Sequence, residues 1–178
     1  MVTLTYQERF RTAKGVFDEF TNRTLFELQS RGAFDALESP LSVGKESNVF
    51  IGVKGEDKVI IKIYRMQNCD FNIMYSYIRK DPRYEFLKKH RRQIILAWTQ
   101  REYKNLLRAE KFKVRSPEAF ACRNHIIVEE FIGDEEPALP LKDQYPTEPK
   151  KFFNDIIKQM KTLYQGGLIH GDLSSFNI

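Results

Sequence analysis

The chain has 178 residues, 42% of them hydrophobic and 30% charged, with a formal net charge of +5. That length allows one domain or two small lobes, and the apolar share is enough for a packed core. No apolar run approaches the length of a bilayer crossing, no signal-peptide core opens the chain, and Cys69 and Cys122 stand far apart with no CxxC pair. A spanning helix, a disulfide framework and a zinc site are therefore not expected, and a reduced, cytoplasmic setting without a membrane partner is. The basic excess suits a phosphate-rich partner, and it serves solubility equally well.

Residues 5–39 read as helical, with Phe17, Phe20, Leu25, Phe26 and Leu28 set among charges and Thr24-Leu25-Phe26-Glu27 placed as the start of a capped turn. Gly32 and Pro40 punctuate that region. The period then changes. Residues 49–53 and 58–64 are β-branched and aromatic, and Lys54-Gly55-Glu56-Asp57 between them has turn chemistry, so a hairpin is predicted. Residues 66–92 are polar and basic, long for a connection inside a small lobe, and expected to be flexible. A helix follows over 93–110, with Ile95, Trp98, Leu106 and Ala109 on one stripe. His125–Ile132 reads as a strand, broken by Gly133 and followed by a linker through Pro137, Pro140, Pro146 and Pro149. A last helix spans 150–165, with Phe153, Ile156, Ile157, Met160, Leu163 and Tyr164 as its expected buried face and Gly166-Gly167 as its stop.

The closing segment carries the most chemistry. In Leu168-Ile169-His170-Gly171-Asp172-Leu173-Ser174-Ser175-Phe176-Asn177, an aspartate precedes an asparagine by five places, the catalytic-loop spacing of the kinase superfamily. Asp172 can orient the proton of an attacking hydroxyl, and the neutral amide oxygen of Asn177 can hold a magnesium ion on nucleotide phosphates. A second metal ligand, an aspartate on a following strand, does not occur after Asn177 in this sequence, so phosphoryl transfer by the chain as written is expected to be very slow.

Upstream, Lys62 lies inside an apolar strand, and Glu102 lies on the apolar stripe of its helix, four residues from both Trp98 and Leu106. Alone, Lys62 reads as an edge-strand lysine on the wet face, while a carboxylate on a buried stripe such as Glu102 wants a cation. In that order they match the lysine–glutamate pair that positions the α/β-phosphates in kinases. Gly44, Lys45 and Ser47 fall just before the first strand, where a phosphate-covering loop belongs, although one glycine equally makes an ordinary turn. Glu130 and Ile132 end a strand where backbone groups could meet adenine. Arg79–Arg92 concentrates positive charge among aromatics, which fits either an RNA backbone or a solvated helix start. His90 and His125 have no partners at metal-ligand spacing and read as structural or exposed.

Together these motifs resemble the RIO family of atypical serine/threonine kinases over about residues 20–178. Ser42-Val43-Gly44-Lys45-Glu46-Ser47-Asn48-Val49-Phe50 resembles its S-T-G-K-E-A-N-V-Y loop, and Ile61-Lys62-Ile63-Tyr64 its A-I-K-I-Y strand. Trp98–Leu106 resembles its W-x-x-K-E-x-x-N-L helix, and His170–Asn177 its catalytic loop. The segment 66–92 is similar to the flexible insertion of the first RIO subfamily. The resemblance implies ATP with magnesium or manganese, autophosphorylation on serine, and a role in maturing the small ribosomal subunit or binding its RNA. It implies Asp172 as catalytic aspartate, Asn177 on metal, Gly44, Lys45, Ser47 and Lys62 at phosphate, Glu102 as the partner of Lys62, and Glu130 and Ile132 at adenine. Three positions depart from the pattern. Ser47 and Gly171 stand where the first subfamily usually has alanine, and Glu129 falls at the gatekeeper position, usually apolar.

The expected fold class is α+β. Residues 1–40 form a helical extension, 41–135 a protein-kinase-like N-lobe (antiparallel sheet plus helix), and 136–178 a linker and the start of a helical C-lobe. Three other readings stay open. One is a small-molecule kinase of the aminoglycoside or choline type, and another is the atypical kinase partner in tRNA modification. The third is a non-catalytic, nucleotide-gated factor that binds pre-ribosomal RNA.

Overall fold

The computed structural model describes residues 17–67 and 69–178. The part of the expected N-terminal helix before Phe17 lies outside the described residues. The described chain divides into two compact units. The first runs to Lys104 and includes Ala119–Phe131, and the second comprises Asn105–Glu118 and Ile132–Ile178.

The first unit opens with α1, Glu19–Ser30. Its cap is Asp18, whose Oδ1 accepts from the Thr21 backbone N–H at 2.7 Å. The helix therefore begins nearly two turns earlier than the expected cap at Thr24, which is a mid-helix residue whose hydroxyl donates to the Phe20 carbonyl. Gly32, at φ +71°, turns the chain away from the helix. Residues 36–39, expected as helix, instead belong to strand β1, Ala36–Val43. β1 is an edge strand, where Pro40 lacks an N–H at little cost.

β2 (Ser47–Lys54) and β3 (Asp57–Tyr64) form the predicted hairpin. Gly55 takes φ +62° in its turn, and the Asp35 carboxylate accepts from the Gly55 N–H at 2.6 Å. β4 (Ala119–Arg123), missed from sequence, pairs with β5 (Ile126–Glu130). The five antiparallel strands run in the order β1-β2-β3-β5-β4. β1 shifts register twice, between Leu37 and Ser39 and between Pro40 and Ser42, and β4 shifts once, between Ala119 and Ala121.

Strand alternation sorts the core into two layers. Phe50, Val59, Ile61, Ile63, Ile126 and Val128 face Leu25 and Leu28 of α1 and the following Phe34. Tyr64 and Ile127, with Cys122 partly buried, face the other way onto Ile94, Ile95 and Trp98 of α3 (Arg91–Lys111).

Residues 66–92 are not a featureless connection. Phe71–Ile78 forms α2, capped by Asp70, with Met74 and Ile78 fully buried. A single 3-10 turn follows at Pro82–Tyr84. Asp81 caps that turn and binds Arg83 at 2.6 Å and Arg101 of α3 at 3.2 Å. These guanidiniums, Arg83 first, hold the Asp81 carboxyl well below the usual carboxylate range. Basic composition hid the two apolar anchors of α2.

The second unit holds the end of α3, the linker and α4, Pro149–Gln165. The helix is where sequence put it, with Pro149 in its first turn and Gly166 as its cap. Its apolar stripe is not buried, since Phe153 is 62% and Tyr164 72% exposed. Amphipathic spacing states what a helix can bury, not that a partner covers it. Arg108 donates to the Gly166 carbonyl at 2.8 Å, and a Cβ at Gly166 would come within 2.2 Å of the Phe112 ring. Gly166→Ala should therefore destabilise this unit by about 1–3 kcal/mol through overpacking. Urea unfolding monitored by circular dichroism measures it, and an unchanged midpoint would show that the ring moves aside freely.

Candidate active site

In the first unit, register and alternation put Ser47, Lys62, Tyr64, Ile127 and Glu129 on the sheet face that α3 covers. Val49 pairs with Lys62, Ser47 with Tyr64, Lys62 with Ile127, and Ile60 with Glu129. Lys62 Nζ donates to Glu102 Oε1 at 2.6 Å. Tyr64 Oη donates to the other oxygen, Glu102 Oε2. Glu102 is thus held by both of its oxygens, which locks its rotamer and leaves the remaining Lys62 protons free to point elsewhere.

The electrostatics follow from burial and crowding. Burial pulls the Lys62 ammonium down, but Glu102, Glu129 and Glu46 outweigh it, and its pKa ends above the ordinary 10.5. Burial, then the Glu102 carboxylate, push the Tyr64 hydroxyl well above its ordinary range. Tyr64 therefore stays a neutral donor at physiological pH. Burial pushes Glu129 up to about 7, with Lys62 opposing and Glu102 adding to the shift.

The Gly44–Glu46 turn links β1 to β2. The Gly44 N–H donates to the Ser47 carbonyl at 2.8 Å, and a Cβ at Gly44 would meet that oxygen at 2.9 Å, so the turn needs glycine for closeness. The Arg65 N–H donates to the Glu46 carbonyl at 2.8 Å, tying the turn to the end of β3. Lys45 is exposed and Ser47 half-buried. Asn48, the next residue, is buried on the opposite face, and neither of its amide atoms is hydrogen-bonded among the described residues. Glu130 ends β5.

In the second unit, Ile132 lies just past the strand, 51% exposed, and its carbonyl accepts from the Ala138 N–H at 2.8 Å. The loop after α4 brings Asp172 and Asn177 together. Asn177 Nδ2 donates to the Asp172 carbonyl at 2.8 Å and to Asp172 Oδ2 at 2.9 Å. With both amide protons spent on Asp172, the amide oxygen is the group left for a ligand. An amide oxygen beside a carboxylate suits a hard divalent cation, so the residues fit magnesium. The Asp172 N–H donates to His170 Nδ1 at 3.3 Å. Gly171 between them takes φ +78°, a backbone that side chains rarely adopt. The loop is stitched to the linker by Leu141 N–H to Ile178 carbonyl and Lys142 N–H to Ser175 carbonyl bonds, at 2.7 and 2.9 Å. Among the described residues no group of three or more acidic, His or Cys side chains is gathered to hold a metal, and no helix is long and apolar enough to cross a membrane.

A RIO domain matches residues 48–178. The chain belongs to the RIO family. It is 40% identical over 175 residues to the RIO-type serine/threonine-protein kinase Rio1 of Methanocaldococcus jannaschii, covering 97% of this chain and 60% of that protein. It is 35% identical to the protein of the same name from Haloferax volcanii, over 96% of this chain and 60% of the relative. Human RIO1 is 32% identical over 94% of this chain and 31% of its own length. The chain thus spans about 60% of the archaeal relatives. A solved Rio2 kinase–ADP/Mg2+–phosphoaspartate complex from Chaetomium thermophilum shares the fold, with a TM-score of 0.68 at 24% identity over 87% of this chain and 44% of that one. The sheet-plus-helix architecture of this RIO domain is accordingly that of a kinase-like N-lobe.

Sequence reasoning did not assign Tyr64 a part in the site, and it read Glu129 only as an unusual wall residue. The signal for both was present in the alternation: Tyr64 is two places from Lys62, and two residues apart on a strand means the same face.

Proposed function

We propose that this RIO chain supplies the nucleotide-handling part of an ATP-dependent atypical serine/threonine protein kinase or ATPase. The observation that carries it is the 2.6 Å Lys62–Glu102 pair, closed from its other side by Tyr64. Lys62 would bind the nucleotide phosphates, with Glu102 fixing its position. Gly44, Lys45 and Ser47 would offer backbone and side-chain donors to phosphate, and Glu130 and Ile132 would offer backbone groups to adenine. Asp172 would accept or orient the proton of the attacking hydroxyl, and the Asn177 amide oxygen would hold magnesium or manganese. The metal's contribution is neutralisation of phosphate charge.

The finer reading is action in small ribosomal subunit maturation in the cytoplasm, on a protein acceptor that includes the chain itself, with the pre-ribosomal particle or its RNA as partner. Supporting it is the basic, aromatic segment 71–92, where Arg79, Lys80 and Arg91 lie over the rings of Tyr75, Tyr77 and Phe71. Single-turnover assays with γ-labelled ATP test these readings. Label on protein serine supports a protein kinase. Release of phosphate only, stimulated by ribosomal particles, supports a nucleotide-gated switch, and transfer to a small alcohol supports the small-molecule reading.

Gly171 adds a prediction about control. Conventional protein kinases place an arginine between this His and Asp, and it pairs with a phosphorylated activation loop. Glycine cannot hold a phosphate, and its φ of +78° resists an arginine side chain. Turnover by phosphatase-treated enzyme should begin without a lag. A lag abolished by pre-incubation with ATP, in proportion to phosphate incorporated near the site, would overturn this.

A further inference from the structure

Lys62 is one cation facing three carboxylates, Glu102, Glu129 and Glu46. With all three ionised the cluster is anionic, an odd setting for a lysine meant to receive phosphate. The three acids are not equivalent. Glu102 is bound by both oxygens, to Lys62 and Tyr64. Glu46 sits in the exposed turn, where water screens it. Glu129 is half-buried in β5, between Ile60 of β3 and Ala119 of β4, on the same sheet face as Lys62. Its carboxyl makes no hydrogen bond or ion pair among the described residues; the charges that shift it are Lys62 on β3 and Glu102 on α3. Two other groups share its sheet face: Lys58, two residues from Ile60 on β3, whose ammonium lies over the Phe131 ring, and the Cys122 thiol on β4. The neutral Tyr64 hydroxyl on β3 lies within the same field.

We propose that Glu129 is a proton-binding group of the nucleotide site, and that a nucleotide phosphate drawing Lys62 to itself drives a proton onto Glu129. The inference rests on the reading of Lys62 as a phosphate ligand. The physics is a competition for one cation. Lys62 stabilises the ionised Glu129, while burial and Glu102 oppose it. An incoming polyphosphate takes that support and adds negative charge, so the ionised form becomes the costly one. The balance is simple: the phosphate binds, one solvent proton moves to a Glu129 carboxylate oxygen, and no bond in the nucleotide changes. Because Glu129 already titrates near pH 7 in the free chain, the exchange falls in the physiological range. The sign follows from linkage. The bound state holds more protons than the free state, so affinity rises as pH falls, and it levels off once the free chain is itself protonated.

Titration calorimetry with magnesium ADP tests this, at pH 7.5 in two buffers of different ionisation enthalpy and then from pH 6 to pH 8. Wild-type chain should take up about half a proton or more per nucleotide bound, and bind roughly five- to tenfold more weakly at pH 8 than at pH 6. In Glu129→Gln both effects should fall to the small contribution of the nucleotide's own phosphate, with tighter binding than wild type at pH 8. Equal proton counts in the two proteins would overturn the inference while leaving the nucleotide reading intact. No binding of magnesium ADP to either protein at pH 6 would overturn the nucleotide reading, and this inference with it. Carboxyl carbon NMR gives a check without ligand: Lys62→Met should raise the Glu129 midpoint by a pH unit or more. An unmoved midpoint would show that the two groups are not coupled, and would also overturn the inference.

Discussion

Lys62→Met should lower phosphoryl transfer by roughly 100- to 1,000-fold in the longest form of the protein that shows activity, the scale for losing one preorganised charged contact to a reacting phosphoryl group. The same substitution leaves Glu102 its hydrogen bond to Tyr64 and removes the cation that favours the ionised Glu129. The sheet-to-α3 contact should loosen as well, though less than for a fully buried pair, because both side chains keep about a quarter of their surface in water. Glu102→Gln separates the two effects. It keeps the shape and a hydrogen-bond acceptor but removes the charge that fixes the lysine, so its loss of turnover should be smaller. Single-turnover rates at saturating ATP, with urea midpoints alongside, provide the comparison. A Lys62→Met protein with a near-normal rate would remove Lys62 from the reaction.

Acid should unfold the first unit through His125. Its side chain is fully buried, stacked on Phe20 at 5.1 Å, with Nε2 3.0 Å from Thr21 Oγ1 and, among the described residues, no partner for Nδ1. Burial lowers its pKa to about 4; Asp18 opposes that shift, and Arg92, whose guanidinium lies over the Phe20 ring at 4.1 Å, adds to it. The folded value is below the ordinary 6.5, so between those pH values the unfolded chain binds a proton that the folded chain refuses. Stability is therefore full above about pH 6.5 and falls progressively toward pH 4, by about 3 kcal/mol from this residue. His125→Phe keeps an aromatic ring against Phe20 and has nothing to titrate. Urea midpoints at pH 7 and pH 4.5 should differ much less in the variant than in wild type. Equal pH slopes in the two proteins would show that other groups carry the acid sensitivity.

Much of the site could be read from residue order, because its members are ionisable groups placed where apolar ones belong. Lys62 in a β-branched strand and Glu102 on an apolar helical stripe each carry a desolvation cost, and the structure joins them. Asp172 and Asn177 declare themselves by spacing, and the loop brings their side chains into contact. The less visible parts were weak in local signal. β1 carries a proline, is mostly exposed and shifts register twice, so no clean alternation marks it. β4 is five residues long, with only Ala119 buried. α2 is short, and its two buried positions are outnumbered by the basic residues that follow. Glu129 is plain on the page as a charge in a strand. Its role comes from a face shared with Lys62, which requires knowing that β3 and β5 are neighbours although 61 residues of sequence lie between Tyr64 and Ile126.

The register shifts in β1 and β4 bear on how this molecule meets copies of itself. A sheet edge offers a row of unpaired N–H and C=O groups to any passing strand, the geometry from which amyloid-like stacking and domain exchange begin. Here the two outer strands are the ones that are bulged, and β1 adds a proline where a donor would stand. A sixth strand would find a twisted, interrupted ladder on either side. Association through the sheet is thereby discouraged while the three inner strands, which carry Lys62, Tyr64 and Glu129, keep an unbroken register with one another.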